Sequence, residues 1–551
     1  MKKNHIFTAF FLTFTILNTF GQSYSGGSGT ETDPFKIANK ADLQYLSENS
    51  SEWGYYFEQT ANITFVAADF ESTGAFYNNG AGFSPIGTDG NVGTPFTGNY
   101  NGNGHIIDGL FIDSEISGIG LFGYIMVATI TDLGITNANI TGNAHGIGAL
   151  IGGTWLDDMA YSTVTNCYST GTITGKNLTT VGASNSVGGL IGFSRVNVTN
   201  SYSTATVSGN ESVGGLIGTN DGTISNSYAT GAVTGTSYVG GLTGLNRYIV
   251  TACYASGAVV GTSMTIGGLA GQNYFATITD CYATGTVEGS DSVGGLVGAA
   301  VGSMPITNGY ALGAVTGVSN VGALLGNNVL STLSGGVWNT ETSGQTQGVG
   351  SDSAATGAEG KSTTEMKDQS TYTNLGWDFT NIWNIACSYP TLQWENRGID
   401  VTTTVDGATI TANANDAGIT YQWLDSNNAA ISGATGQSYT ATANGNYKVT
   451  VTQDGCSKTS DAVAITTLSV KNETELFTAI LYPNPTRNNV TLSLPKTENI
   501  TVTVYNVLGR VVYRIITTNK EIELPIQGQS GMYFVKVTTA TTSKTWRVVK
   551  Q

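Results

Sequence analysis

A six-residue phrase, Val187-Gly-Gly-Leu-Ile-Gly192, returns in the middle of this chain at Val213, Val239, Ile266, Val293 and, more loosely, Val321, with starts 26, 26, 27, 27 and 28 residues apart. Earlier copies occupy residues 147–152 and, in degenerate form, 119–123. A second phrase, Asn226-Ser-Tyr-Ala-Thr-Gly-Ala-Val-Thr-Gly235, alternates with the first and has copies beginning at Asn166, Asn200, Ala252, Asp280 and Asn308. A unit of about 27 residues made of short β-branched runs broken by glycine cannot enclose a core alone, so neighbouring copies must stack and share one. The units hold no stretch of helical periodicity, which sets aside helical arrays. They are also shorter than a propeller blade. The expected fold is therefore all-β: a parallel β-solenoid, or β-helix, one coil per unit.

Within a coil the apolar residue two before the Asn is regular: Val164, Val198, Ile224, Val250, Ile278 and Ile306. Strict alternation along Ile-x-Asn-x-Tyr would put this residue and the repeat tyrosines Tyr168, Tyr202, Tyr228, Tyr254, Tyr282 and Tyr310 on one side of a strand. The tyrosine column is read as packing, and the Asn corner as a stack exchanging amide hydrogen bonds. Cys167, Cys253 and Cys281 precede the Tyr, in a slot that Ser201, Ser227 and Gly309 also fill. Cys253 and Cys281 are one coil apart, close enough for a disulfide, but a ladder of small side chains explains the slot more simply.

Flanking segments suit the ends of such an array. Asp33-Pro-Phe-Lys-Ile and then Ala41-Asp-Leu-Gln-Tyr-Leu46 predict a strand and a short helix, and residues 96–107 look like the first regular coil. After Trp338 the repeat fades, and Trp377, Trp383 and Trp394 provide the bulk expected of a closing cap.

Residues 1–21 have the form of an export signal, with Lys2 and Lys3 followed by an apolar run too short to span a bilayer. The expected organisation is a signal peptide at 1–21, a capped solenoid at 22–398, an Ig-like domain at 399–467, a linker at 468–478 and a C-terminal domain at 479–551. Residues 22–478 contain 11 Lys or Arg against 35 Asp or Glu, net −24, whereas residues 479–551 contain nine against three, net +6. The acidic bulk argues against a nucleic acid partner, and the change of sign suggests a tail with a partner of its own.

The two alternating phrases resemble those of the GLUG-motif proteins, bacterial surface or secreted proteins whose repeats are associated with adhesins and with some IgA-peptidase-type proteins. Residues 399–467, with Tyr421-Gln-Trp423 and Gly445-Asn-Tyr-Lys-Val-Thr-Val451, resemble an immunoglobulin-like sandwich with Trp423 in the core and Tyr447 at a tyrosine corner. Residue 449 is Val where the inter-sheet cysteine of antibody domains would stand. Residues 479–551, with Leu481-Tyr-Pro-Asn-Pro-Thr486, Val502-Thr-Val-Tyr-Asn-Val-Leu-Gly-Arg-Val-Val512 and Gly531-Met-Tyr-Phe-Val-Lys-Val537, resemble the type A sorting domain of the type IX secretion system. That resemblance implies a small β-sandwich, delivery across the outer membrane, and release or attachment to surface lipopolysaccharide after removal of the domain. The secretion machinery is then the partner of this tail.

Chemistry is sparse. The histidines are His5, His105 and His145, which cannot form a His-Glu-x-x-His zinc site, and no Gly-x-Ser-x-Gly elbow or P-loop is present. The reading is a non-enzymatic protein with no cofactor and no metal. The enzymatic alternative is a polysaccharide lyase or glycoside hydrolase, which needs a base beside a cation or two spaced carboxyl groups. Residues 111–333 contain three basic side chains, Lys176, Arg195 and Arg247. Asp157 and Asp158 lie in the one expanded repeat with Trp155 and Tyr161, a solvated loop or a candidate carbohydrate-binding platform. Register then places Phe193 and Arg195, Asn220 and Asp221, Arg247 and Tyr248, and Tyr274 and Phe275 along one edge. Aromatic rings beside polar groups on an extended edge suit a glycan or protein polymer.

Overall fold

The computed structural model describes residues 24–551 apart from 89–92, 144, 155–160, 177–185, 352–356, 386–387, 396–400, 415–418, 454–455, 467–478, 496–498 and 540–542. The export signal, the linker, Trp155, Asp157 and Asp158 lie outside the described residues. Two compact units divide the chain, Met1–Gly398 and Ile399–Gln551.

The first unit is a parallel β-solenoid. One coil shows how the sequence makes it. Glu211–Gly214 joins a seven-stranded sheet, Ile217–Asn220 a nine-stranded sheet, and Ile224–Ser225, Tyr228–Ala229 and Val233–Gly235 a third, larger sheet before Ser237–Gly240 begins the next coil. Equivalent residues pair in parallel register, Val213 with Val239, Ile217 with Thr243, Tyr228 with Tyr254. The Gly-Gly-Leu turn sends Leu190, Leu216, Leu242, Leu269, Leu296 and Leu324 into the core as a fully buried column. Its second glycine is required by thickness. A Cβ on Gly241 would stand 2.0 Å from the carbonyl oxygen of Gly268 and 2.8 Å from the Cβ of Ala255 on the opposing face. The residue after each repeat tyrosine, Ser169 and Ser203 in the first two coils and Ala229, Ala255, Ala283 and Ala311 in the rest, is small for the same reason.

The larger sheet corrects the expectation for the tyrosines. Val164, Val198, Ile224, Val250, Ile278 and Ile306 are buried in the core, but the tyrosines project from the outer face. The cause is the corner residue between them. Asn166, Asn200, Asn226, Ala252, Asp280 and Asn308 all have φ between 49° and 56°, and one left-handed residue shifts the alternation that follows it. The slot before the tyrosine therefore points inward. Cys167, Cys253 and Cys281 are buried free thiols, and the Sγ atoms of Cys253 and Cys281 donate to the carbonyls of Thr251 and Thr279 at 3.1 Å. Burial pushes the Cys167 thiol up to about 12. The small-residue ladder, not a disulfide, fills this slot.

Both ends differ from expectation in extent. Stacking begins before residues 96–107, because Phe35–Ile37 pairs with Tyr56–Gln59, which pairs with Asn99–Asn101. The helix Lys40–Glu48 follows the first strand, capped by the Asn39 side chain. At the other end, Gly336–Asn339 and Ala358–Lys361 continue the ladder. The tryptophan segment then folds back along the outer face instead of only closing the end. The six tyrosine rings stack at 4.7–4.9 Å between centroids and 3–6° between planes. Trp377, Trp383 and Trp394 pack against the last four, burying Tyr254, Tyr282 and Tyr310 and leaving Tyr168, Tyr202 and Tyr228 half-buried. Among the bonds that fix the segment, Trp383 Nε1 donates to Asp280 Oδ1 at 3.0 Å, Trp394 Nε1 to the Ala252 carbonyl at 2.9 Å, the Tyr282 hydroxyl to Glu395 at 2.9 Å and the Tyr310 hydroxyl to the Pro390 carbonyl at 2.6 Å.

The second unit holds small antiparallel sheets. Thr420–Leu424, Gly445–Gln453 and Cys456–Thr459 form one, and Thr402–Asp406, Thr409–Asn413 and Ser438–Thr440 another. Trp423 and Val449 are fully buried, and the Tyr447 hydroxyl donates back to the Ala443 carbonyl at 2.8 Å, the bond that defines a tyrosine corner. The last 70 or so residues pair Ile500–Asn506 with Val511–Thr517 and Gly531–Thr538, and the latter with Ser543–Lys550, around a core that includes Val502, Val504, Val535 and Val548.

Candidate functional site: a polar and aromatic ridge

The corner that follows each strand of the nine-stranded sheet builds the ridge. Asn220, Asn246 and Asn273 occupy the same register position in three successive strands, at or next to the strand end, with their side chains fully buried. Asn220 Nδ2 donates to Asn246 Oδ1 at 2.8 Å, Asn246 Nδ2 to Asn273 Oδ1 at 2.7 Å, and Asn273 Nδ2 to the Ala276 carbonyl at 2.6 Å. A buried amide ladder with satisfied partners holds a corner rigidly. Asn220 is thus structural, which corrects its placement on the exposed edge. The residue after each ladder member faces outward: Asp221, Arg247 and Tyr274, with Arg195 after the buried Ser194 one coil earlier. Backbone bonds from Asp221 to the Ser194 carbonyl and from Arg247 to the Asn220 carbonyl keep these residues in column.

Arg195, Asp221 and Arg247 lie together at one corner in three successive coils. Arg247 Nη1 is 3.6 Å from Asp221 Oδ2, and Arg195 Cζ lies 5.5 Å from the Tyr161 ring centroid. Burial pushes the Asp221 carboxyl above the usual range, against the pull of Arg247 and Arg195. Tyr161 and Tyr248 approach to 6.0 Å between ring centroids. Further along, Tyr274 and Phe275 meet edge to face at 4.8 Å. Tyr248, Tyr274 and Phe275 are 41, 45 and 59% exposed, a large apolar area to leave in water. Phe193 is half-buried within the nine-stranded sheet, in register with the buried Thr219.

The ridge continues beyond the residues legible in the sequence. Val301 and Val329 follow Tyr274 in register, and Leu330, 76% exposed, follows Phe275 and Gly302. Phe275 and Leu330 both have positive φ, at 51° and 71°. Bulky residues in that region carry strain that surrounding structure must hold. Gly302 permits the arrangement, since a Cβ there would meet the Phe275 ring at 2.7 Å. Repeat spacing carried the signal for this extension, but the repeat loosens after residue 300. Among the described residues no group of three or more His, Cys, Asp or Glu side chains could hold a metal ion.

Residues 143–174, 209–234 and 262–288 match the GLUG motif, and residues 480–551 match the secretion system C-terminal sorting domain. The chain carries GLUG repeats and a type IX sorting domain. The sorting domain marks it for secretion or the cell surface and ties it to the type IX machinery. No helix among the described residues is long and apolar enough to cross a membrane. Similar proteins include Halomucin from Haloquadratum walsbyi, 35% identical over 32% of this chain and 2% of that protein, and a putative Gly-rich membrane protein from Evansella cellulosilytica, 34% identical over 26% and 16%. An endo-acting ulvan lyase from Formosa agariphila is 29% identical over 15% of this chain and 17% of that enzyme. The chain therefore spans less than a fifth of each of these relatives.

Proposed function

We propose that this GLUG-repeat chain is an adhesin-like binding protein, displayed on or released from the cell surface, whose solenoid ridge holds an extended glycan or protein polymer. The observation that carries this reading is a line of exposed aromatic side chains on corners locked by a buried amide ladder. Such a ridge is preorganised, so little side-chain or loop ordering opposes binding. It is also long and shallow, which suits a chain more than a small molecule. The name of one relative, a putative Gly-rich membrane protein, accords with a protein at the cell surface. Removal of the sorting domain, with attachment to lipopolysaccharide or release, would complete delivery.

Arrays of glycans and matrix proteins test this reading. The paired variant Y274A/F275A is expected to weaken binding at least tenfold with an unchanged melting temperature, because both side chains are exposed. Unchanged affinity would remove the ridge from consideration. The similarity to an ulvan lyase keeps a second reading, a polysaccharide-cleaving enzyme. Its mark would be turnover of a polymer that Asp157→Ala or Asp158→Ala abolishes.

A further inference from the structure

Residues 111–333 hold ten acidic and three basic side chains, so positive charge is scarce along the repeats. The fold nevertheless brings two of the three basic residues to the same corner. Arg195 and Arg247 flank Asp221 in successive coils, and the three lie beside the aromatic rings of the ridge. Two coils separate the arginines, roughly 9.6 Å of rise, comparable with the repeat of a disaccharide. We propose that the ligand of the ridge is an anionic polysaccharide whose acidic groups meet Arg195 and Arg247 while its sugar rings lie against Tyr248, Tyr274 and Phe275.

This inference rests on the polymer-binding reading above and narrows it to one chemistry. Arginine presents a planar fork that matches carboxylate and sulfate oxygens, and partial removal from water strengthens the contact. Elsewhere the acidic solenoid repels a polyanion, so binding is confined to this corner and set in register along it. Asp221 competes with the ligand for both arginines. Its carboxylate is held half-buried at a cost, and Oδ1 receives no hydrogen bond from the described residues. A ligand anion that draws Arg247 away would leave that carboxylate more exposed to its own proton, so binding favours mild acidity.

The test uses the full exported chain with polygalacturonate and with its carboxyl-reduced, neutral counterpart, at low and high salt. Support consists of at least tenfold tighter binding to the acidic polymer, loss of that preference at high salt and in R195Q/R247Q, and tighter binding by D221N. The variant R195K/R247K, which keeps the charge, should retain part of the preference, and melting temperatures show whether each variant folds. Equal binding of both polymers, unaffected by R195Q/R247Q, overturns the anionic assignment and leaves polymer binding intact. Weaker binding by folded D221N overturns it as well, because Asp221 would then belong to the recognition surface. Binding of matrix proteins alone overturns it in favour of a protein ligand, and binding of nothing on the arrays overturns the broader reading with it.

Discussion

At the scale of single residues, the corner before each repeat tyrosine decides which way the following strand faces. Asn is tolerated in the left-handed region better than other residues with a side chain, and it holds four of the six corners. Asp280 is an exception with consequences. It is buried, accepts from Trp383 Nε1 and from Asn308 Nδ2 at 3.1 Å, and burial pushes its carboxyl above the usual range. The folded chain therefore binds this proton more tightly than the unfolded chain, so ionisation at neutral pH costs stability that acidification returns. Asp280→Asn keeps both the backbone conformation and an accepting oxygen. It is expected to raise the melting temperature at pH 7 by about 2 °C, the scale of a 1 kcal/mol change. Melting curves of the two proteins should converge as pH falls through the raised value.

At the scale of elements, the returning tryptophan segment is the feature that ties distant coils together. Trp383 is fully buried between Tyr282, Tyr310 and Trp377. Trp383→Ala is expected to cost about 3–5 kcal/mol, the range for emptying a large buried aromatic site. Hydrogen exchange should show the loss in residues 362–395 and over Tyr254, Tyr282 and Tyr310, with coils before residue 213 unaffected. The parallel solenoid was legible because glycine spacing states the coil length directly. The facing of the tyrosines is not legible from alternation, because a period of two assumes extended backbone throughout and the corner residue, Asn in four of six coils, breaks it. Asn220 was placed outside for a related reason: it and Asp221 are adjacent polar residues, and only the pairing of Asn220 with Asn246 shows which one turns inward. The direction in which Trp377, Trp383 and Trp394 pack had no periodic signal at all.

At the scale of the whole molecule, cargo and address differ in charge as well as in fold. The acidic residues 22–478 and the basic residues 479–551 have formal charges of −24 and +6. Deletion of residues 480–551 is expected to abolish appearance of the protein outside the cell while leaving the solenoid folded, as fractionation and circular dichroism of the retained product would show. A periplasm-retained chain that no longer folds would instead make the tail part of the core structure. The row of tyrosines has an optical consequence as well. Parallel rings this closely spaced pass excitation from one to the next, and the row ends beneath indoles that absorb at lower energy. Light taken up at Tyr168 should therefore emerge as tryptophan emission, giving the protein a built-in gauge of whether the returning segment is seated.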